Sequence, residues 1–271
     1  MFLFLVARFL APIIYVAPPA SSFTYRPSLP LPSLSTALGA LIARLNELEP
    51  KEGSLFAKDA KKSVARKRLK ELAKYNFSLG VAPVEDVLYG VQRTGIIRRI
   101  NRYAKDKQDK SDALAHEYSI VYAFEIAVGL DEKNDNLIEL VKKALSSITR
   151  VGDSESLVTP VEIEEVEPAN SIEALGVLPA ERIENQAEII LYRGSLFPAS
   201  STYSTSGDEI LRIRHLAFSL RPDRKARALV ARTLRIKPDK IGKEVVVIRP
   251  ERPIALVHYS ALMKTGKKAK R

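Results

Sequence analysis

Alternating runs of apolar and polar residues divide the first half of the chain into predicted strands and helices. Residues 2–9 are apolar, but Arg8 and Pro12 interrupt the run too early for a membrane span or a signal peptide, so a buried strand is favoured. Apolar residues at helical spacing or in β-prone runs define the remaining elements. The predicted elements are, in order, a strand over 2–9, helices over 35–48 and 54–75, a turn over 80–83, strands over 94–103 and 117–128, a helix over 136–150 and a strand over 157–166.

Without the basic helix over 54–75, this order is β-α-β-β-α-β, the ferredoxin-like arrangement. The first and third strands of that arrangement are central, and here they are the two most apolar runs. We therefore predict an α+β fold with the helices over 35–48 and 136–150 on the same face of its sheet. The predicted divisions are a ferredoxin-like domain over 1–166 with a basic helical insertion over 51–90, a smaller β-rich C-terminal region over 167–263 and a basic tail over 264–271.

The pattern changes after Pro168, where short apolar runs are separated by polar loops. A Ser/Thr-rich loop is expected over 194–207 because these residues favour turns. Strands are predicted over 188–192, 209–220, 244–248 and 254–259.

The net charge of +11 on 271 residues favours a polyanionic partner, with nucleic acid as the first candidate and an anionic membrane surface as its rival. No cysteine is present, which excludes disulfides and thiolate metal sites. The three histidines lie far apart, and no nucleotide-binding or nucleophile motif occurs. We therefore predict no catalytic residue, no metal and no cofactor. Few thermolabile residues beside many charged ones are typical of a hyperthermophile.

Two groups of basic residues are candidate phosphate contacts. The basic helix carries Lys61, Lys62, Arg66 and Lys67, whose spacing could displace several counterions, although a solvated helix face has the same pattern. The strand over 94–103 interleaves isoleucines with arginines and ends in an aromatic residue, as in sheets that bind single-stranded RNA. Charges that protect an edge strand are the alternative. The candidate residues in and before this strand are Arg93, Arg98, Arg99, Arg102 and Tyr103.

The proline-rich loop before the first helix is the third candidate. A helix N-terminus offers backbone N–H groups to an anion, and Ser35 and Thr36 add hydroxyls, with Arg26 upstream. Ordinary capping is the alternative and needs only one hydroxyl. We predict that Arg26, this helix N-terminus and the strand arginines together hold a single-stranded RNA.

Two segments resemble the Cas-five family of CRISPR effector subunits. Residues 25–41, YRPSLPLPSLSTALGAL, are similar to its loop-and-helix signature, and residues 148–158, ITRVGDSESLV, to a turn in archaeal subtype I-A (Apern) members. The resemblance implies a noncatalytic, cytoplasmic Cascade subunit that holds the 5′ handle of the guide RNA. The implied partners are the guide RNA, the backbone and large Cascade subunits and target DNA near the adjacent motif, with no membrane.

Two departures from the family bear on its activity. No glycine-rich loop is evident near the C-terminus, and His116 follows Ala115 rather than the lysine of a precursor-cleaving branch. The alternatives to a binding subunit are a metal-independent precursor-RNA endonuclease using His116 and a ribosomal or other RNP assembly protein.

Overall fold

The computed structural model describes residues 2–16, 25–26, 28–53, 63–99, 110–152, 156–180, 191–192, 195–204, 210–223, 225 and 228–262. The helices are α1 (Leu34–Leu48), α2 (Val64–Ala73), α3 (Asp135–Ser147) and α4 (Tyr259–Leu262). The strands are β1 (Phe2–Ala11), β2 (Tyr25–Arg26), β3 (Ser78–Pro83), β4 (Leu88–Arg99), β5 (Lys110–Ile120), β6 (Tyr122–Asp131), β7 (Thr159–Glu165), β8 (Glu173–Ala174), β9 (Val177–Pro179), β10 (Leu191–Tyr192), β11 (Ser195–Ser204), β12 (Ile210–Phe218), β13 (Leu220–Asp223), β14 (Ala228–Ala231), β15 (Leu234–Arg235), β16 (Val245–Ile248) and β17 (Ile254–His258). Among these described residues, no helix is long and apolar enough to cross a membrane.

An antiparallel sheet of six strands in the order β16-β17-β3-β6-β1-β7 forms the centre of the α+β fold. Alternate residues of β1 enter two separate cores, as the two-residue period of a strand requires. Leu5 packs in the same core as Leu41 of α1 and Val141 of α3, whereas Phe4 packs in the core on the other face. The predicted placement of these two helices on one face is therefore confirmed.

The second strand of this sheet is β3, so the predicted turn over residues 80–83 is wrong. All six residues of β3 are buried, and β6 and β17 pair with it on either side. A Cβ at Gly80 would come within 2.6 Å of the carbonyl oxygen of Ala255, so the glycine permits the close approach of β17. The sequence suggested a turn because a glycine followed by a proline commonly marks one.

The predicted strand over residues 117–128 is two strands in different sheets. Val121 separates β5 from β6, and Tyr122 has a φ of 56°, which turns the chain out of the β5 ladder. β5 pairs instead with β2 and β4 in a three-stranded sheet. The predicted strand over 94–103 consequently belongs to the β4–β5 hairpin and not to the large sheet.

The C-terminal region contributes to both the large sheet and smaller ones. The predicted strands over 244–248 and 254–259 are confirmed as β16 and β17, at one edge of the large sheet. A four-stranded sheet has the order β10-β11-β12-β9, and its β11 occupies most of the predicted loop over 194–207, which is therefore wrong. The domain boundary near residue 166 stays a prediction.

A buried carboxylate joins these strands on the face opposite α1 and α3. Glu125 of β6 is fully buried and binds Arg8 at 3.3 Å, Arg249 at 3.0 Å and Arg252 at 2.7 Å. A buried charge needs such partners because its desolvation is costly. The cluster therefore ties the turn before β17 to β1 and β6.

Candidate nucleic-acid interface

Three hydroxyl groups meet at the N-terminus of α1. Ser33 is the N-cap, and its Oγ accepts a hydrogen bond from the backbone N–H of Thr36 at 3.2 Å. The same Oγ lies 2.8 Å from Ser35 Oγ and 2.8 Å from Thr36 Oγ1. The first turn contains no acidic residue, so the helix itself supplies no carboxylate to neutralise the partial positive charge of this end.

The loop before α1 is fixed by hydrogen bonds to two other segments. Ser28 Oγ accepts from the backbone N–H of Val16 at 3.1 Å, and Leu29 donates its N–H to the Val16 carbonyl at 2.8 Å. Ser119 of β5 donates its hydroxyl to the Leu29 carbonyl at 3.1 Å. These bonds hold the loop between the end of β1 and the three-stranded sheet.

The turn after α3 binds the same part of the chain from another side. Ser156 Oγ accepts from the backbone N–H of Tyr15 at 2.8 Å. Gly152 has a φ of +119°, and a Cβ there would come within 2.6 Å of the Tyr15 carbonyl oxygen. The segments 25–41 and 148–158 thus both contact residues 14–16, although more than 100 residues separate them along the chain.

The three-stranded sheet places two of the predicted arginines on either side of one residue. Arg26 of β2 is the register partner of His116 on β5, and Arg93 of β4 is the partner of His116 from the other side. Neighbouring strands lie about 4.8 Å apart, so the backbones at Arg26 and Arg93 are separated by about 10 Å.

Further along β4, Arg98 pairs with Ser111 and Arg99 with Lys110. Arg98 lies five positions after Arg93 along the strand, which corresponds to about 17 Å. These two arginines therefore lie toward the far end of the hairpin, away from Arg26. Arg102 and Tyr103 lie outside the described residues.

The basic helix α2 packs at the opposite end of α1. Arg68 is 1% exposed, and its guanidinium donates to the carbonyls of Leu45 and Glu49, at the C-terminus of α1. It also binds the carboxylates of Glu49 at 3.0 Å and Glu71 at 2.9 Å. This arginine stabilises the fold and is not available to a ligand.

Glu71 completes this cluster with Lys51, which binds it at 2.6 Å. Burial raises the pKa of Glu71, but the hydrogen bonds from Lys51 and Arg68 outweigh this effect and the net shift of the pKa is downward. The carboxylate is therefore ionised near neutral pH, as its cationic neighbours require.

The remaining predicted residues of the basic helix divide into two groups. Lys67 is exposed and donates to the Glu52 carbonyl at 2.8 Å, and Arg66 is half-buried. Lys61 and Lys62 lie outside the described residues. Since α1 rises about 1.5 Å per residue, roughly 20 Å separates this end of the helix from Ser35 and Thr36.

The predicted residues that the structure describes form three groups: one around residues 14–16, Arg98 and Arg99 toward the far end of the β4–β5 hairpin, and one on α2. Arg26, Arg93, Ser35 and Thr36 belong to segments that meet around residues 14–16 and β5, whereas α2 lies beyond the other end of α1. Sequence reasoning missed Ser28 and Ser119, which hold the first group together. Their signal is weak, because an isolated serine in a loop or strand has no periodicity that marks it.

The chain matches no known protein-family model and no curated protein. Solved structures that resemble it include a CRISPR protein from Archaeoglobus fulgidus, with 14% identity, a TM-score of 0.41 and coverage of 95% of this chain and 99% of that one. A chain of a CRISPR RNA-guided surveillance complex has 13% identity, a TM-score of 0.39 and coverage of 97% and 95%. A chain of the type III-B Cmr-beta complex bound to cognate target RNA has 11% identity, a TM-score of 0.43 and coverage of 60% of each chain. At these identities the likeness is distant.

Proposed function

We propose that this chain is a noncatalytic RNA-binding subunit of a type I CRISPR effector complex, and that it holds the 5′ handle of the guide RNA. The observation that carries the proposal is the meeting of the two family-like segments, 25–41 and 148–158, around residues 14–16. Two motifs distant in sequence that support one loop and one helix N-terminus indicate a shared site. The guide RNA, other subunits of the complex and target DNA are its proposed partners.

The topology supports a ferredoxin-like, RAMP-type domain. Within the large sheet, the strands β7-β1-β6-β3 stand in the order fourth, first, third and second, and all their pairings are antiparallel. Helices α1 and α3 follow the first and third strands and share one face. This is the β-α-β-β-α-β connectivity of such domains, with the β4–β5 hairpin inserted between the second and third strands.

In the proposed interface, Arg26 and Arg93 bind phosphates of the handle, and the N-terminus of α1 binds another. The hairpin arginines Arg98 and Arg99 extend this basic surface away from the large sheet. A helix N-terminus binds an anion through its backbone N–H groups and its dipole, and arginine binds phosphate in a bidentate manner.

The test is equilibrium binding of a handle RNA to the full chain at several salt concentrations. An Arg26→Ala/Arg93→Ala variant is expected to bind more weakly and to lose about one unit of the salt slope per phosphate contact. The matched control is Arg221→Ala/Arg232→Ala, which removes two exposed arginines of the C-terminal region. Equal affinity and slope for both variants would show that the handle binds elsewhere.

The position of His116 between Arg26 and Arg93 favours one alternative, a metal-independent RNA endonuclease. A histidine beside bound phosphates could act as a general acid or base. Incubation of the pure protein with repeat RNA in EDTA distinguishes the two functions, because only the nuclease would cleave the RNA. Cleavage that disappears in a His116→Ala variant would establish the alternative.

A further inference from the structure

A cavity of about 740 Å³ opens at the end of the large sheet where β1 begins. Three of its lining residues, Phe4, Ser78 and His258, belong to one cross-strand row, which Gly129 completes. A Cβ at Gly129 would come within 2.8 Å of the Phe4 ring, so the glycine leaves room for that ring over the sheet. A cavity of this size accommodates several side chains.

The walls of this cavity are largely apolar. Phe2 is 50% exposed and stacks on the buried Phe4 ring, with 6.3 Å between the centroids. Val166, Pro168 and Val246 contribute further apolar surface. A large exposed aromatic side chain next to such walls is typical of a site that binds an apolar group.

The charge around the cavity is opposite to that of the chain as a whole. Glu132, Glu165 and Glu167 line it together with one cation, Lys243, in a protein of net charge +11. Glu165 is bound by Lys142 at 2.7 Å, whereas Glu132 and Glu167 form no ion pair within the described part of the chain. Burial lowers the pKa of His258, so its ring adds no positive charge near neutral pH. The site repels a polyanion such as RNA and attracts a cation.

The neighbouring strand β7 lies at the edge of the large sheet, beside the cavity. It ends the large sheet and pairs only with β1 among the described strands. Its sequence, TPVEIEE, is acidic, and Val161 is 56% exposed. Residues 165–168, at the end of β7 and directly after it, line the cavity. An edge strand can pair with an extended peptide through its backbone. The glutamates of β7 already pair with basic residues of this chain, so a preference for a basic peptide comes from the cavity carboxylates.

We propose that the cavity and the edge of β7 together bind an extended basic segment of a partner protein, with a large apolar or aromatic side chain in the cavity. Lysine or arginine side chains on either side of that anchor pair with Glu132 and Glu167. This surface does not include the RNA interface described above, so the two proposals can fail separately.

The test uses the purified full chain and an array of short synthetic peptides. Each peptide has a central Phe, Trp, Leu or Ser, flanked by Lys, Glu or Ser. Peptides with an apolar centre and lysine flanks are expected to bind best, and those with glutamate flanks worst. Binding that ignores the flanking charge, or no binding above that of the all-serine peptide, overturns the proposal.

Two variants and one control locate the peptide. Glu132→Gln/Glu167→Gln is expected to lower the affinity for the tightest-binding peptide about three- to tenfold, because the charge pairs are lost. Phe2→Ser changes a half-exposed residue outside the buried core and is expected to lower the affinity for the same peptide by at least about fivefold. The control Glu47→Gln/Glu85→Gln changes the net charge equally at exposed positions that do not line the cavity and should bind as the parent does. Parent-like binding by both cavity variants overturns the proposal.

A truncation distinguishes a partner from the chain itself. Removing the basic residues 264–271 is expected to leave peptide affinity unchanged. A clear rise in affinity would show that the tail of this chain occupies the cavity, and the partner segment would then be excluded as its resident ligand.

Discussion

The two ends of α1 are stabilised by different chemistry. At the C-terminal end, the buried Arg68 guanidinium donates to helix carbonyls and is held by Glu49 and Glu71. At the N-terminal end, the hydroxyls of Ser33, Ser35 and Thr36 contact one another, and no charged residue caps the first turn.

This difference shows that abundant basic residues do not by themselves mark a binding surface. A helix carries partial negative charge at its C-terminus and partial positive charge at its N-terminus. At the C-terminus of α1, a buried cation neutralises that charge, and the arginine serves stability. At the N-terminus the charge has no acidic partner in its first turn, and the same physics favours an anion there.

The strongest test of this comparison is Arg68→Ala. Removing the buried guanidinium leaves the carbonyls of α1 without their donor and the Glu71 carboxylate with Lys51 as its remaining partner, which is expected to cost about 3–5 kcal/mol of unfolding free energy. Urea unfolding at neutral pH measures the change. A loss of unfolding free energy below about 1 kcal/mol would mean that water replaces the hydrogen bonds of the arginine, and that Arg68 does not stabilise the C-terminal end of α1.

The N-terminal end is tested by two substitutions of Ser33. Ser33→Ala removes the N-cap and is expected to cost about 1 kcal/mol. Ser33→Asp keeps a capping oxygen and adds a negative charge, so it should preserve stability yet weaken handle-RNA binding. Equal RNA affinity for parent and Ser33→Asp would contradict phosphate binding at this helix end.

Acid titration separates the two ends further, because only the C-terminal cluster contains a carboxylate. The pKa of Glu71 is lowered from 4.5 in the folded chain, so the folded state binds fewer protons than the unfolded state at that pH. The stability supplied by Glu71 is present above about pH 4.5 and is lost as pH falls through the lowered pKa. The stability difference between the parent and Glu71→Gln should therefore shrink on acidification. A difference independent of pH would exclude this linkage.

The smallest expected effect on stability is that of Lys67→Ala, one residue from Arg68. Lys67 is exposed and makes one hydrogen bond to the Glu52 carbonyl, so its loss should change stability by less than about 0.5 kcal/mol. We propose that Lys61, Lys62, Arg66 and Lys67 form a second RNA contact. If so, Lys67→Ala lowers the salt slope of RNA binding by about one unit. An unchanged slope would assign this helix face to solvent.

Local sequence patterns predicted those elements whose signal lies in a single segment. The helices α1 and α3 follow from apolar residues at helical spacing, and each has a side-chain N-cap, Ser33 for α1 and Asn134 for α3. The strand β1 follows from its continuous apolar run, and β7 from alternation. In each case the spacing of the apolar residues along the segment indicates which face is buried.

Tertiary structure decided everything that depends on a partner distant in the chain. Gly80 lies in a strand and not in a turn because β17, about 170 residues later, packs against it. Arg26 and Arg93 flank His116 because β2 and β4 pair with opposite edges of β5. Arg68 and Lys67 are indistinguishable as neighbouring cations in the sequence, yet only Arg68 points to the end of α1. The position of a residue in the periodic pattern of its helix or strand determines the face on which it lies. The element that packs against that face determines whether the charge of the residue stabilises the fold or remains available to bind a ligand.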